Sequence, residues 1–263
     1  MRKLPPVCLT IAGLDPSGGA GVVADIKTFS AFGCFAAAAV TSVTFQNTTG
    51  VFGAVHQSAD SVRRQIGVVL DDYEVAAAKT GMLPSREIIE EVARIINERG
   101  LKNIVVDPVV RSTSGYDLIE DEALQALVQE LFPLADLVTP NIPEAERVAG
   151  IKIASANDVE RAAEIIMSLG VRNVLIKGGH SKAKGKGKKA KDYLFGENTA
   201  SFESDFIDTT ATHGTGCALA SAIAANLALG NGLVESIGTA KEFVTEAIRT
   251  APQLGKGNSP INT

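Results

Sequence analysis

The 263-residue chain has no tryptophan, only three cysteines and only three histidines. Cys8, Cys34 and Cys217 are far apart and form no CxxC pair, so the sequence indicates neither a disulfide framework nor a zinc cluster, and a reducing, cytoplasmic setting is expected. His56, His180 and His213 are scattered too, which leaves no His/Cys metal constellation. No GxxxxGK followed by Ser or Thr occurs, so a P-loop is excluded. After Met1-Arg2-Lys3-Leu4-Pro5-Pro6 only a few apolar residues precede Asp15, too few for a signal h-region or a membrane span. A formal charge of −5 argues against a general nucleic-acid binder. Finally, no Asp or Glu falls between Ile26 and Ala59. Gly19-Ala20-Gly21-Val22-Val23-Ala24 imitates a dinucleotide fingerprint, but that fingerprint needs an acid about 20 residues on to hold the ribose.

What is present suits one large α/β domain spanning residues 1–263, since 45% apolar residues are enough to fill a core at this length. Val7–Ala12, Ala39–Phe45, Ala76–Thr80, Ile104–Val106, Leu137–Thr139 and Val174–Ile176 are mostly continuous apolar runs, as expected of buried strands. Between them Ala20–Phe32, Ser61–Leu70, Ser85–Arg99, Asp121–Phe132 and Asp158–Leu169 carry helical spacing. This alternation predicts a mostly parallel central sheet with helices on both faces. Tyr193–Phe195 and Phe202–Ile207 read as a small antiparallel edge, and helices over Gly216–Leu229 and Leu233–Ala251 close the chain.

The chemistry gathers around Thr209-Thr210-Ala211-Thr212-His213-Gly214-Thr215-Gly216-Cys217. A Gly-x-Gly turn opening a helix aims unpaired N–H groups at one point, where the helix dipole adds positive charge, so Gly214, Thr215 and Gly216 are candidates to hold an anion. Cys217 closes the turn, and a thiol at a helix N-terminus can have its pKa lowered. It is a candidate base or nucleophile; the alternative is a small buried hydrophobe. Ala12-Gly13-Leu14-Asp15-Pro16-Ser17-Gly18-Gly19-Ala20-Gly21 reads as a tight turn that lets backbone approach a ligand, with Asp25 following on the first helix. Asp25 either accepts bonds from a substrate hydroxyl or amine or sits on a solvated face. At strand ends, where open α/β sheets bind ligands, stand Asp107-Pro108, Asn141-Ile142-Pro143-Glu144 and Lys177. The oxygen ligands suit Mg²⁺ with its waters, and a lysine suits phosphate. Each is also an ordinary turn or helix-start residue. Ser181–Lys191 holds six lysines in eleven residues, either a mobile solvated loop or a flap over a polyphosphate.

These segments, with Ala24-Asp25-Ile26-Lys27-Thr28-Phe29, Phe45-Gln46-Asn47-Thr48, Lys79-Thr80-Gly81-Met82, Val106-Asp107-Pro108-Val109, Thr139–Glu146, Ile176-Lys177-Gly178-Gly179-His180 and His213–Cys217, resemble the hydroxymethylpyrimidine and hydroxymethylpyrimidine-phosphate kinases of thiamine biosynthesis along essentially the whole chain. The resemblance implies a ribokinase-like fold, a homodimer, and two successive ATP- and Mg²⁺-dependent phosphorylations of 4-amino-5-hydroxymethyl-2-methylpyrimidine (HMP), first to HMP phosphate and then to the diphosphate. It implies that Gln46 hydrogen-bonds the pyrimidine edge and that Asp25 is an acid at the substrate pocket lined by Gly13, Met82 and Val109. It assigns Asp107, Asn141 and Glu144 to the Mg²⁺ and phosphate region and Lys177, Gly179 and Thr212 to the nucleotide. Cys217 takes the place of the general base. The tail Gly255-Lys256-Gly257-Asn258-Ser259-Pro260 departs from the His-rich version usual in the family, and the lysine loop is unusually basic. Two other readings stand beside this one: a pyridoxal kinase of the same fold, and a non-catalytic nucleotide-binding regulator. Some kinases of the first kind use a second cysteine in a lid, whereas Arg111-Ser112-Thr113-Ser114-Gly115-Tyr116 has none.

Overall fold

In a computed structural model, residues 4–110, 119–178 and 189–263 are described. Nine strands form one sheet: β1 (Val7–Leu14), β2 (Phe35–Asn47), β3 (Gly50–His56), β4 (Val75–Thr80), β5 (Ile104–Val106), β6 (Leu137–Val138), β7 (Val174–Lys177), β8 (Lys189–Phe195) and β9 (Ala200–Asp205). The order across the sheet is β3-β2-β1-β4-β5-β6-β7-β8-β9. Of these, β2, β1, β4, β5, β6 and β7 are parallel, as the alternating pattern predicts.

The parallel strands are apolar on both faces because helices cover both. Leu9, Ile11, Ala78, Ile104, Val106, Val138, Val174 and Ile176 face one layer, with α2 (Ala59–Asp72), α3 (Arg86–Arg99), α4 (Asp121–Ala126), α5 (Ile142–Ala149) and α6 (Ala156–Ser168). Their sequence neighbours Cys8, Ala77, Val105, Leu137 and Leu175 face the other, with α1 (Gly21–Ala31), α7 (Thr215–Ala228) and α8 (Leu233–Arg249). The alternation is the two-residue period of a strand, with both sets apolar. Helix α7 is buried almost all round from Ala218 to Asn226, which explains its alanine-rich, unpatterned sequence.

Two elements differ from expectation, and at a third, the start of α5, the helix-start alternative is realised. An antiparallel strand, β3, lies at the edge opposite β8–β9, so the sheet has antiparallel pairs at both ends. It is short and half-exposed, and Gly53 interrupts its pattern. The turn-forming Asn141-Ile142-Pro143-Glu144 starts a helix, α5: Asn141 caps the N–H of Glu144, whose carboxylate accepts the N–H of Asn141 in return. Proline in the first helical turn forfeits no hydrogen bond. Of the lysine segment, Lys189–Lys191 belong to β8, where Lys189 pairs with Asp205 at 2.7 Å and Lys191 with Glu203 at 3.0 Å. Residues 181–188 and the segment Arg111–Tyr116 lie outside the described residues.

Candidate active site

The site forms where β1, β4, β5, β6 and β7 end and the N-termini of α1 and α7 approach them. Gly214 precedes α7 with φ +85°, and a Cβ there would stand 1.8 Å from the carbonyl oxygen of Gly19. Gly21 opens α1 with φ +54°, and a Cβ there would stand 2.1 Å from the carbonyl oxygen of Gly13. Only glycine allows both the left-handed backbone and the close approach. In the first turn of α7 the N–H of Thr215 donates to the carbonyl of Thr212, and that of Ala218 to Gly214. The Thr215 N–H is therefore occupied, contrary to the expectation from sequence. Those of Gly216 and Cys217 find no acceptor among the described residues, so they are the donors available to an anion. Thr212 is half-buried and contributes to the turn through its carbonyl.

Cys217 is half-buried between the two helix starts. Its thiol is not acidified, as the turn suggested, but pushed up to about 11. Burial is the largest cause. The Lys79 ammonium acts against it, Asp25 and Asp107 reinforce it, and the N–H of Gly21 donates to the sulfur and lowers it again.

Beneath the thiol lies a buried ion pair. Lys79, fully buried in β4, places its ammonium 3.0 and 2.9 Å from the two carboxylate oxygens of Asp25 in α1. Thr10 donates to one of these oxygens at 2.6 Å and Ser221 of α7 to the other at 2.8 Å. Burial opposes the Lys79 charge, but Asp25 outweighs it and holds the ammonium above its ordinary pKa. This corrects the placement of Asp25 at the substrate: the carboxylate has no exposure and its acceptor sites are filled from within the protein.

A second charged pair closes the other side. Lys177 approaches one oxygen of Asp107 at 2.8 Å, and Thr139 donates to the same oxygen at 3.1 Å. The other oxygen of Asp107 and the Lys177 ammonium both stand beside Gly216, each 3.4 Å from where a Cβ would be. A Cβ at 216 would only touch this pair, whereas a longer side chain would compete with a ligand for the space beside it. Burial opposes the charge on Lys177, but Asp107 and Glu144 outweigh it and hold it above its ordinary pKa. The Glu144 carboxyl is raised, chiefly by burial and also by Asp107, against the pull of Lys177. Its oxygens accept the N–H groups of Asn141 and Val110. Asn141 lies beside Lys177 in an isolated bridge, with its side chain occupied by the cap.

Among the described residues no cluster of three His, Cys, Asp or Glu side chains is arranged to hold a metal. Two neighbouring carboxylates, one oxygen of Asp107 being turned toward the helix start, fit Mg²⁺ that takes its remaining ligands from water and phosphate.

Gly13, Met82, Val109 and Gln46 were the other residues expected at the site. The space above Gly13 is bounded by Met82, whose sulfur is 3.1 Å from where a Cβ would be. Val109 follows Asp107-Pro108 and is half-buried. Gln46, on β2, has its amide oxygen 3.2 Å from the Thr44 hydroxyl and its amide nitrogen 3.4 Å from Nε2 of His213. Gly179 lies outside the described residues.

Sequence reasoning assigned no role to the Asp15, Lys79, His213 and Ser221 side chains. A lysine inside the apolar run Val75–Thr80 carries a signal, since a buried ammonium requires an anionic partner. Asp25, followed by more than thirty residues without an acid, was an available one.

The family model described as phosphomethylpyrimidine kinase matches residues 15–262. The chain is 41% identical over 255 residues to the hydroxymethylpyrimidine/phosphomethylpyrimidine kinase of Bacillus subtilis, covering 97% of this chain and 93% of that one. The crystal structure of phosphomethylpyrimidine kinase from Clostridium difficile superposes with a TM-score of 0.81 at 42% identity, covering 92% and 99% of the two chains. An ADP complex of Bacillus subtilis pyridoxal kinase superposes with a TM-score of 0.88 at 39% identity, covering 98% and 97%.

Proposed function

This chain belongs to the phosphomethylpyrimidine kinase family, and from that premise we propose how its site carries out phosphoryl transfer. The enzyme is a hydroxymethylpyrimidine and phosphomethylpyrimidine kinase of thiamine biosynthesis, with the ribokinase-like α/β fold. It uses ATP to phosphorylate HMP and then HMP phosphate.

The observation that carries the mechanism is the meeting, at Cys217, of two helix N-termini with the Lys79–Asp25 and Lys177–Asp107 pairs. The transferring phosphoryl group sits at the N–H groups of Gly216 and Cys217, with Lys177 beside it. These groups stabilise charge spread over its oxygens. Asp107 and Glu144 would hold Mg²⁺, which when bound neutralises phosphate charge, while Asn141 and Thr212 line the nucleotide side. The ring rests among Gly13, Gln46, Met82 and Val109, and its hydroxymethyl oxygen faces the phosphoryl group. As the new P–O bond forms and the bond to the leaving ADP breaks, the thiolate form of Cys217 accepts the hydroxyl proton and becomes the thiol. In the second step a phosphate oxygen is the nucleophile, already ionised, and needs no base. Cys217 therefore matters most to the first step.

The chain acts as one catalytic domain in the cytoplasm and pairs as a homodimer. Among the described residues no helix is long and apolar enough to cross a membrane. Dimerisation is supported by the β2–β3 edge, where Val43 and Val55 lie opposite one another, Phe45 lies over Gly53, and all three are exposed. An open apolar edge strand calls for a partner, and a second copy presents the same edge.

The test is product analysis by mass with Mg-ATP. Wild-type protein is expected to convert HMP to monophosphate and then diphosphate. Cys217→Ala is expected to lower turnover of HMP by about 10²–10³-fold and that of HMP phosphate much less. Equal losses in both steps would remove the proton-acceptor role and leave the turn as a phosphate site alone. The structural similarity to pyridoxal kinase makes pyridoxal the second substrate to assay, and faster turnover of it than of HMP would favour that alternative.

A further inference from the structure

We propose that the buried Asp15–His213 pair is a specificity device: it holds the amide of Gln46 in one orientation and so selects the ring edge that the enzyme accepts. The proposal rests on the assignment of Gln46 to the substrate ring.

Counting protons fixes the orientation. Nε2 of His213 lies 2.7 Å from an oxygen of Asp15, with both side chains buried. A ring nitrogen and a carboxylate oxygen at that distance need a proton between them. The same carboxylate accepts the N–H and the hydroxyl of Ser17 at 2.8 and 2.9 Å and the N–H of Ala20 at 3.0 Å. It is thus an ionised acceptor, and the proton belongs to Nε2 of His213. Burial alone would raise the Asp15 carboxyl, but His213 and Ser17 outweigh it and hold it below the ordinary range.

A protonated Nε2 cannot accept a hydrogen bond, so an NH₂ of Gln46 there would face another donor; the amide oxygen is the atom that fits, sharing the N–H that points at Asp15 as its longer, second acceptor. On the other side of the amide, Thr44 donates its one hydroxyl proton to the carbonyl of Leu14 at 3.0 Å, an acceptor that has nothing to give back. The Thr44 oxygen is then free to accept, and the amide atom facing it must be the NH₂. Both neighbours demand the same half-turn of the amide, with oxygen toward His213 and nitrogen toward Thr44, at the heavy-atom separations of 3.4 and 3.2 Å given above.

So held, Gln46 keeps one lone pair and one N–H for a ligand, in a fixed order along its edge. That edge complements a ring bearing an acceptor nitrogen next to an exocyclic amine. With the hydroxymethyl group held toward the phosphoryl group, a ring that carries an aldehyde next to it and a hydroxyl beyond offers acceptor and donor in the reverse order. An amide free to rotate would serve either.

His213 is itself held firmly. Its N–H donates to the carbonyl of Ser259, and its carbonyl accepts the N–H of Ile261. A Cβ at Gly19 would stand 2.4 Å from the imidazole and 2.9 Å from Pro260, so Gly19 makes room for the ring. The C-terminal segment is tied in turn to β2–β3, where the N–H of Asn258 donates to the carbonyl of Thr48. The divergent tail thus reaches the pocket through His213.

His213→Phe keeps an aromatic ring and removes the donor. It is expected to raise KM for HMP about tenfold, the cost of one misdirected hydrogen bond, with kcat within about twofold. The preference for HMP over pyridoxal in kcat/KM should fall by the same factor. Gln46→Ala should raise KM similarly, and the double variant should lose no more than either single variant. A fall in kcat with KM and preference intact, or losses that multiply, would overturn the proposal. Unchanged KM in Gln46→Ala removes the assignment of Gln46 and the relay with it. Unchanged KM in His213→Phe beside a raised KM in Gln46→Ala removes the relay alone. Should His213→Phe fail to fold, the ¹⁵N resonances of His213 in the wild-type protein decide: a protonated Nε2 is required, and an unprotonated one rules the relay out.

Discussion

Cys217 is a thiol whose surroundings pull in two directions. Lys79 and two helix starts favour the thiolate, while burial, Asp25 and Asp107 favour the thiol, and the second group wins, leaving a value of about 11. At pH 7 the thiolate is then roughly one part in ten thousand, so the residue rests as a neutral thiol, slow to react as a nucleophile, and must lose its own proton before it can accept that of the substrate. A raised pKa means that the ionised fraction grows as pH rises. Alkylation of Cys217 by iodoacetamide, followed by mass spectrometry, should therefore be slow at pH 7 and accelerate about tenfold per pH unit up to about 11. Lys79→Met should slow it further at every pH, because the main side-chain cation acting on the thiol is lost. A rate that levels off below pH 8 would refute this account. The same substitution leaves Asp25 buried and unpaired, at a cost of about 3–5 kcal/mol in denaturant unfolding.

At the scale of elements, two glycines bracket α7 with the same backbone sign and different surroundings. Gly214 has φ +85° and a backbone oxygen 1.8 Å from where a Cβ would stand, whereas Gly230 has φ +93° and open space. Gly230→Ala should cost only the left-handed conformation, about 1–2 kcal/mol, with activity retained. Gly214→Ala must also push the Gly19 backbone away, separating α7 from the first loop. Its unfolding free energy should fall by more than that of Gly230→Ala, and turnover should drop by at least about tenfold, since a small displacement of catalytic donors is enough to do so. Denaturation midpoints and kcat of the two variants check this side by side. Equal midpoints and equal turnover would show that the close approach of the two segments is immaterial.

For the whole molecule, the catalytic turn and the β2–β3 edge are linked by the tail. Thr48 accepts the N–H of Asn258, and Ser259 and Ile261 bind His213 next to the catalytic turn. An interface at β2–β3 would therefore stabilise the ring pocket as well as cover apolar surface. Phe45→Glu with Val55→Lys places charge on the exposed face, and sedimentation should show a dimer becoming a monomer with a raised KM for HMP. A wild-type protein that sediments as a monomer would dismiss the proposed pairing.

Much of the fold was legible because its signals are local. Continuous apolar strands alternating with amphipathic helices require a covered parallel sheet, and glycines before a helix mark a turn wherever they occur. The half-exposed strand β3 was not legible, since an edge with one apolar face and an interrupting glycine resembles a loop. Residue types likewise marked Asp107, Lys177, Gly214 and Cys217 for phosphate chemistry. The order of the chain alone determined the fold class, the family resemblance and the place of the catalytic turn. Tertiary structure decided what each polar group has left to offer. It commits Asp25 to Lys79, Thr10 and Ser221, commits Thr215 to its own turn, raises Cys217 instead of acidifying it, and brings Asp15, 198 residues away in sequence, to His213. Burial and hydrogen-bond saturation depend on neighbours distant in sequence, and those are present only once the chain has folded.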